Sequence, residues 1–229
     1  MERCANCNGE LRLSADRKKL VCEYCDSEFY INENDVGSGS TEPSEESLAL
    51  QLLDVSDVKT FDNDHSLKSF QELCAWINAG DTVETCLDGL KNLSTQHTDW
   101  AMDGVNTDLF NKAKNQIGNQ LSLDEQMLFF KDSGIIKKGK SGVLITNKTL
   151  YIFSKKNVHK LAIADIYSIH IFAIGEASGM WYFNANLNLR IDSMACSPAE
   201  QGLIMALVCL LVREYRGYGY KIKVYKSVL

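Results

Sequence analysis

The sequence predicts a multidomain protein of the α+β class, and three successive patterns along its 229 residues support this prediction. Four cysteines in two closely spaced pairs lie within residues 1–32. Apolar residues then recur at helical spacing in residues 47–120, whereas short alternating segments typical of strands dominate residues 121–229. Residues 33–46 are polar, acidic and rich in Gly and Ser, and we predict that they form a flexible linker.

The four N-terminal cysteines have the spacing of a zinc site. Cys4 and Cys7 form one C-x-x-C pair, and Cys22 and Cys25 form the second. Four thiolates fill the tetrahedral coordination of Zn²⁺ and leave no position for a reacting water. We therefore predict one structural Zn²⁺ rather than a catalytic one. Disulfides are the less favoured alternative, because we see no signal peptide before the first pair and cytoplasmic thiols stay reduced.

Residues 1–32 resemble a zinc ribbon. The resemblance includes both cysteine pairs, Gly9 after the first pair and the aromatic residues Phe29 and Tyr30 after the second. Short strands are expected around residues 11–13, 20–21 and 29–31. A segment of this size buries too little apolar surface to fold without its metal. Zinc ribbons often serve transcription and RNA processing, so the resemblance implies nucleic acid as one candidate partner.

The charge balance argues against that partner. The formal net charge is −6, and acidic residues outnumber basic ones within the cysteine-rich segment as well. Proteins that bind nucleic acid without sequence preference carry a basic face.

The longest apolar run, residues 203–212, is about half the length that crosses a bilayer. We therefore expect a cytoplasmic protein.

Three amphipathic helices are predicted between residues 47 and 120. The first carries an apolar stripe at helical spacing, namely Leu67, Phe70, Cys74 and Ile77. Gly80 ends it, and residues 81–84 form a pattern like a capping box with Asp81 as the cap of the second helix. The third is centred on residues 109–117. Cys74 and Cys86 lie on apolar faces, which favours buried, inert thiols over a second metal site.

Residues 121–229 are predicted to form strands closed by a helix. A capping box at Ser122–Glu125 predicts a short helix through about Lys131. Strands are then predicted at residues 142–146, 149–153, 158–163, 166–174, 180–183 and 187–191. A second capping box, Ser197–Glu200, begins a helix that Gly217 ends. Residues 220–225 alternate like one more strand, so we expect a small barrel or sandwich capped by the helix.

Residues 121–216 resemble a bacterial PH-like or GRAM-like domain. The similar features are acidic Asp124 and Glu125, the Gly142–Asn147 hairpin, and the step from Asp165 to Ile169. The resemblance implies a module that binds lipids, peptides or other proteins and carries no catalytic residue. Lipid-binding members place several basic residues in a long first hairpin loop, whereas the loop here is only Asn147 and Lys148.

Five lysines are predicted to lie together at one end of the sheet: Lys137, Lys138, Lys140, Lys155 and Lys156. Such a rim could contact an acidic surface, including anionic lipid headgroups. The alternative that we favour is a solvated surface that aids solubility.

No catalytic motif is visible in the sequence. The four histidines, which are His65, His97, His159 and His170, are scattered, and no phosphate-binding glycine loop or nucleophile elbow is present. We therefore predict a non-enzymatic cytoplasmic adaptor with a protein partner. A nucleic-acid-associated regulator and a peripheral membrane-binding protein are the two alternatives, and homo-oligomer formation through the last strand is left open.

Overall fold

The chain is described by a computed structural model over nine segments. These are residues 11–13, 19–22, 28–30, 64–134, 138–154, 157–174, 178–192, 196–217 and 222–228. The mixed α+β class is confirmed in this part of the chain, which contains four helices and two larger sheets. The predicted linker, residues 33–46, lies outside the described residues.

Three short antiparallel strands lie near the N-terminus. They are β1 (Leu11–Leu13), β2 (Lys19–Cys22) and β3 (Glu28–Tyr30), in the order β1-β2-β3. Leu11 lies opposite Cys22 in the β1–β2 hairpin. Their positions coincide with the strands that the alternation of apolar residues predicts.

The four helices are α1 (Asp64–Ala79), α2 (Val83–Ser94), α3 (Thr107–Ile117) and α4 (Pro198–Arg216). The predicted end of α1 before Gly80 and the capping box of α4 are confirmed. The predicted cap of α2 is wrong by one residue. Thr82 has extended backbone angles, and its Oγ1 accepts a hydrogen bond from the Thr85 amide at 3.2 Å, so Thr82 rather than Asp81 is the cap.

The larger sheet consists of five antiparallel strands. These are β4 (Trp100–Ala101), β5 (Met127–Asp132), β6 (Gly142–Thr146), β7 (Thr149–Phe153) and β8 (Val158–Ala162), paired in chain order. The predicted β6–β7 hairpin is confirmed. Thr146 Oγ1 shapes its turn by accepting hydrogen bonds from the Lys148 and Thr149 amides at 3.1 and 2.8 Å.

The helix predicted after Ser122 is wrong, because residues 122–125 form a turn that leads into β5. Glu125 does bond to the Ser122 amide, as a capping box requires, at 3.2 Å. The Glu125 carboxylate also accepts hydrogen bonds from the hydroxyls of Thr146 and Tyr151 in the neighbouring strands. Pairing with β6 therefore overrides the local helix signal.

The smaller sheet has four strands. In chain order these are β9 (Ser168–Ile174), β10 (Ser178–Phe183), β11 (Asn186–Asp192) and β12 (Lys223–Val228), and their order in the sheet is β11-β10-β9-β12. The first three are antiparallel neighbours, whereas β12 pairs parallel to β9. The predicted last strand therefore exists, although it begins at Lys223, and it adds to a sheet of its own chain.

Helix α4 is the centre of the main core. All its residues from Ala199 to Val212 are buried, so it is enclosed on every side rather than amphipathic. It packs closely on α1, because a Cβ at Gly202 would lie 3.0 Å from the Phe70 ring. Tyr215, near the end of α4, is by contrast 62% exposed.

Both faces of the five-stranded sheet are covered. Phe129 and Ile145 face the main core, which contains residues of α1, α2, α4 and both larger sheets. The alternate residues Phe130, Leu144 and Tyr151 face a second cluster formed with α3. The main core therefore contains residues from both sides of residue 121, where the sequence predicts a domain boundary. That boundary stays a prediction.

Candidate functional site

One of the four predicted zinc ligands lies in a described strand. Cys22 is the last residue of β2, whereas Cys4, Cys7 and Cys25 lie outside the described residues. The β1–β2 hairpin returns the chain to the end at which β1 begins. Within the described segments, no group of three or more His, Cys, Asp or Glu residues could hold a metal ion. The zinc site thus stays a prediction.

The other four cysteines are buried, as predicted for two of them. Cys74, Cys86, Cys196 and Cys209 form no disulfide. Burial raises the pKa of Cys74 to about 12, and it also raises the pKa of Cys209 to about 12. Because the thiolate is the nucleophilic and metal-binding form, these thiols are chemically inert at neutral pH.

The predicted lysine rim is described in part. Lys138 and Lys140 are exposed, and Lys138 Nζ lies 3.7 Å from Asp132 Oδ2. Lys137, Lys155 and Lys156 lie outside the described residues. Gly142 pairs with both Asp132 and Phe153, so the segments before β6 and after β7 adjoin the same end of the sheet.

Helix α3 brings a further lysine to this end of the sheet. A Cβ built on Gly139 would lie 2.6 Å from the Cβ of Lys112, so Lys112 adjoins the segment that carries Lys138 and Lys140. Lys112 is exposed. Sequence reasoning did not include it, because the packing of α3 on the outer face of the sheet is a long-range contact.

A buried ionic cluster joins β4, β5 and the start of α4. We call Lys131, Asp99, Glu200 and Trp100 the Lys131 cluster. Lys131, only 5% exposed, makes ion pairs with Asp99 and with Glu200, the latter at 3.1 Å. The Trp100 Nε1–H donates to Glu200 Oε1 at 3.0 Å. The second carboxylate oxygen of Glu200 accepts from the Ser197 amide at 2.8 Å and completes the cap of α4.

The two carboxylates of this cluster offset the effect of burial on the pKa of Lys131. Burial alone would lower the pKa of Lys131, but the carboxylates of Glu200 and Asp99 outweigh it and hold that pKa above its ordinary value. His97 stacks on Trp100 with ring centroids 3.5 Å apart, and burial lowers the pKa of His97. The cluster is enclosed and its lysine stays charged, so we assign it a structural role.

A second buried polar pair lies on β9. Ser168 Oγ and His170 Nε2 are 3.2 Å apart, a contact that a nucleophile and its base would also make. Ser168 is 1% and His170 8% exposed. Burial lowers the pKa of His170 to about 4. A substrate could not reach a serine so deeply buried, so this pair stabilises the sheet.

A concave surface of about 600 Å³ with both apolar and charged lining residues lies between α2, β5 and the end of α4. We call it the acidic cleft. Its floor consists of the apolar lining residues, of which three are half-buried (Val83, Leu87 and Leu128) and three are buried (Met102, Met127 and Leu211). Its rim carries the carboxylates of Glu84, Asp88, Asp103 and Glu214, together with Lys91 and the exposed ring of Tyr215. Five separate segments of the chain form this surface, so no local sequence pattern marks it.

Comparison with known proteins finds no protein-family model that matches the chain and no curated protein with significant sequence similarity to it. Among the described helices, none is both long enough and apolar enough to cross a membrane.

Proposed function

We propose that this protein is a cytoplasmic, non-enzymatic adaptor that binds a protein partner through a surface formed by α2, β5 and the end of α4. The observation that carries the proposal is the acidic cleft, which exposes apolar side chains inside a polar rim. Interaction sites on proteins combine these two features, whereas apolar residues on other surfaces are scattered singly.

The order of the elements supports a PH-like or GRAM-like domain as the scaffold for this site. Strands β5 to β8 form one antiparallel meander and β9 to β11 form a second, and α4 follows directly. A series of strands closed by one helix is what the resemblance implies. Strand β4 and strand β12 are additions at the sheet edges.

A zinc ribbon at residues 1–32 is the second module of the proposed adaptor. Cys7 precedes β1 by four residues, and Cys22 ends β2 at the same end of the hairpin. This register supports a single ion shared by both cysteine pairs. Four thiolates would hold it as a structural site.

A crosslinked pull-down with the full chain from its native cells tests the adaptor function. We expect a stoichiometric protein partner that Tyr215→Ala greatly reduces, because this ring lies at the acidic cleft. Tyr167→Ala is the matched control, since Tyr167 is 47% exposed and does not line the cleft. Recovery of self-contacts alone, or equal recovery with both variants, would contradict the proposal.

Attachment to an anionic membrane surface is a second candidate function. The observation that favours it is the position of Lys112 beside the Lys138–Lys140 segment, which enlarges the basic rim. Each lysine near an anionic bilayer contributes about 1 kcal/mol.

Sedimentation with phosphatidylserine vesicles tests this second candidate. We expect Lys112→Glu to weaken binding at least about fivefold. Lys114→Glu should have a much smaller effect, because residues two apart in a helix do not face the same way. If the unchanged protein fails to sediment at low salt, the membrane function is excluded.

A further inference from the structure

The rim of the acidic cleft has an uneven charge balance. Four carboxylates and one lysine give it a net charge of −3. Of the ion pairs between described residues, the Lys91–Asp88 pair at 3.3 Å is the one that involves a rim carboxylate. Glu84, Asp103 and Glu214 are exposed and point to a counter-charge supplied from outside.

The position of Glu214 is unfavourable for the helix that carries it. Glu214 lies in the last turn of α4, where the helix dipole favours cations over anions. Arg213 and Arg216 in the same turn follow that preference. The Glu214 carboxylate therefore does not stabilise the helix end, whereas it does add negative charge to the rim of the cleft.

The floor of the cleft offers a small apolar contact. Val83, Leu87 and Leu128 are half-buried, so part of each side chain is open to an apolar group, whereas Met102 and Met127 are buried in the core. The flanks come from two helices, α2 and the end of α4, which is the arrangement of a groove that accepts a third helix. Tyr215 offers an exposed ring face that a lysine or arginine could stack upon.

We infer that the acidic cleft binds a basic amphipathic helical segment of the partner protein. Its apolar residues would contact the half-buried Val83, Leu87 and Leu128, and its lysines or arginines would pair with the rim carboxylates. This inference rests on the proposed adaptor function and specifies the chemistry of the partner.

Fluorescence anisotropy with two designed peptides tests the inference on the full zinc-loaded chain. The first probe is a labelled amphipathic helix of Leu and Lys, about four turns long, and the second carries Glu in place of Lys. We expect the Leu/Lys peptide to bind at least about tenfold more tightly, with affinity that falls as salt rises.

Charge reversal within the chain provides the matched comparison. Glu214→Lys should weaken the Leu/Lys peptide at least about tenfold, while it favours the helix dipole and so leaves the fold intact. Asp165→Lys, an exposed charge outside the cleft, should change affinity less than about twofold. Equal binding of both peptides, or equal losses with both variants, would overturn the inference.

The failure of this inference can be distinguished from the failure of the adaptor function. If Tyr215→Ala removes the pulled-down partner but the Leu/Lys peptide does not bind, the cleft is the docking site and the basic chemistry of the partner is wrong. If the pull-down gives no partner, the adaptor function itself is wrong.

Discussion

Replacement of Lys131 by methionine is expected to lower the free energy of unfolding by about 3 to 5 kcal/mol. Lys131 is almost fully buried, and its ammonium neutralises the carboxylates of Asp99 and Glu200. Methionine retains the length of the side chain, so the variant removes the charge and leaves Glu200 uncompensated. Urea denaturation followed by circular dichroism should show a lower midpoint with an unchanged slope.

Two further variants separate charge from packing in this experiment. Lys148→Met breaks a similar Lys–Asp pair with Asp124, but that pair is exposed, so its loss should have a far smaller effect. Glu200→Gln added to Lys131→Met should restore much of the lost stability, since the carboxylate that remains, Asp99, is 30% exposed and can be hydrated. If Lys131→Met and Lys148→Met behave alike, the Lys131 cluster does not stabilise the fold.

Local signals predicted those elements that depend on neighbouring residues. The capping box of α4 combines Ser197, Pro198 and Glu200 within a single turn, and the β6–β7 turn depends on Thr146 and the residues that follow it. The same reasoning failed at Ser122–Glu125. There the local bond is present, but Tyr151, 26 residues away, engages the same carboxylate and favours a turn before a strand.

The sites could be predicted only as far as they are local. The cysteine pairs predict a zinc module because all four predicted ligands lie in one short segment. Trp100 and Glu200 are 100 residues apart, so nothing in the sequence marks their bond. The acidic cleft likewise depends on the meeting of α2, β5 and α4. One signal was nevertheless available, since Glu214 is an acidic residue where a helix end favours basic ones.

Removal of zinc is expected to unfold residues 1–32 and leave the remaining described fold in place. Structural zinc in small modules contributes about 10 to 16 kcal/mol of apparent binding free energy, which exceeds what so short a segment gains by burial. Metal analysis should find close to one zinc per chain. Cys25→Ser should abolish it, and limited proteolysis should then cleave the N-terminal segment rapidly.

Cys196→Ser is the matched control for the zinc experiment, because Cys196 is a cysteine buried in the main core. It should reduce the stability of the core without changing the zinc content. Cys25→Ser should instead abolish zinc binding without reducing the stability of the core. A chain that contains no zinc and yet resists proteolysis in residues 1–32 would contradict the zinc site. Because partner binding in the adaptor proposal uses the acidic cleft and not the metal, that result would leave the proposed binding site untouched.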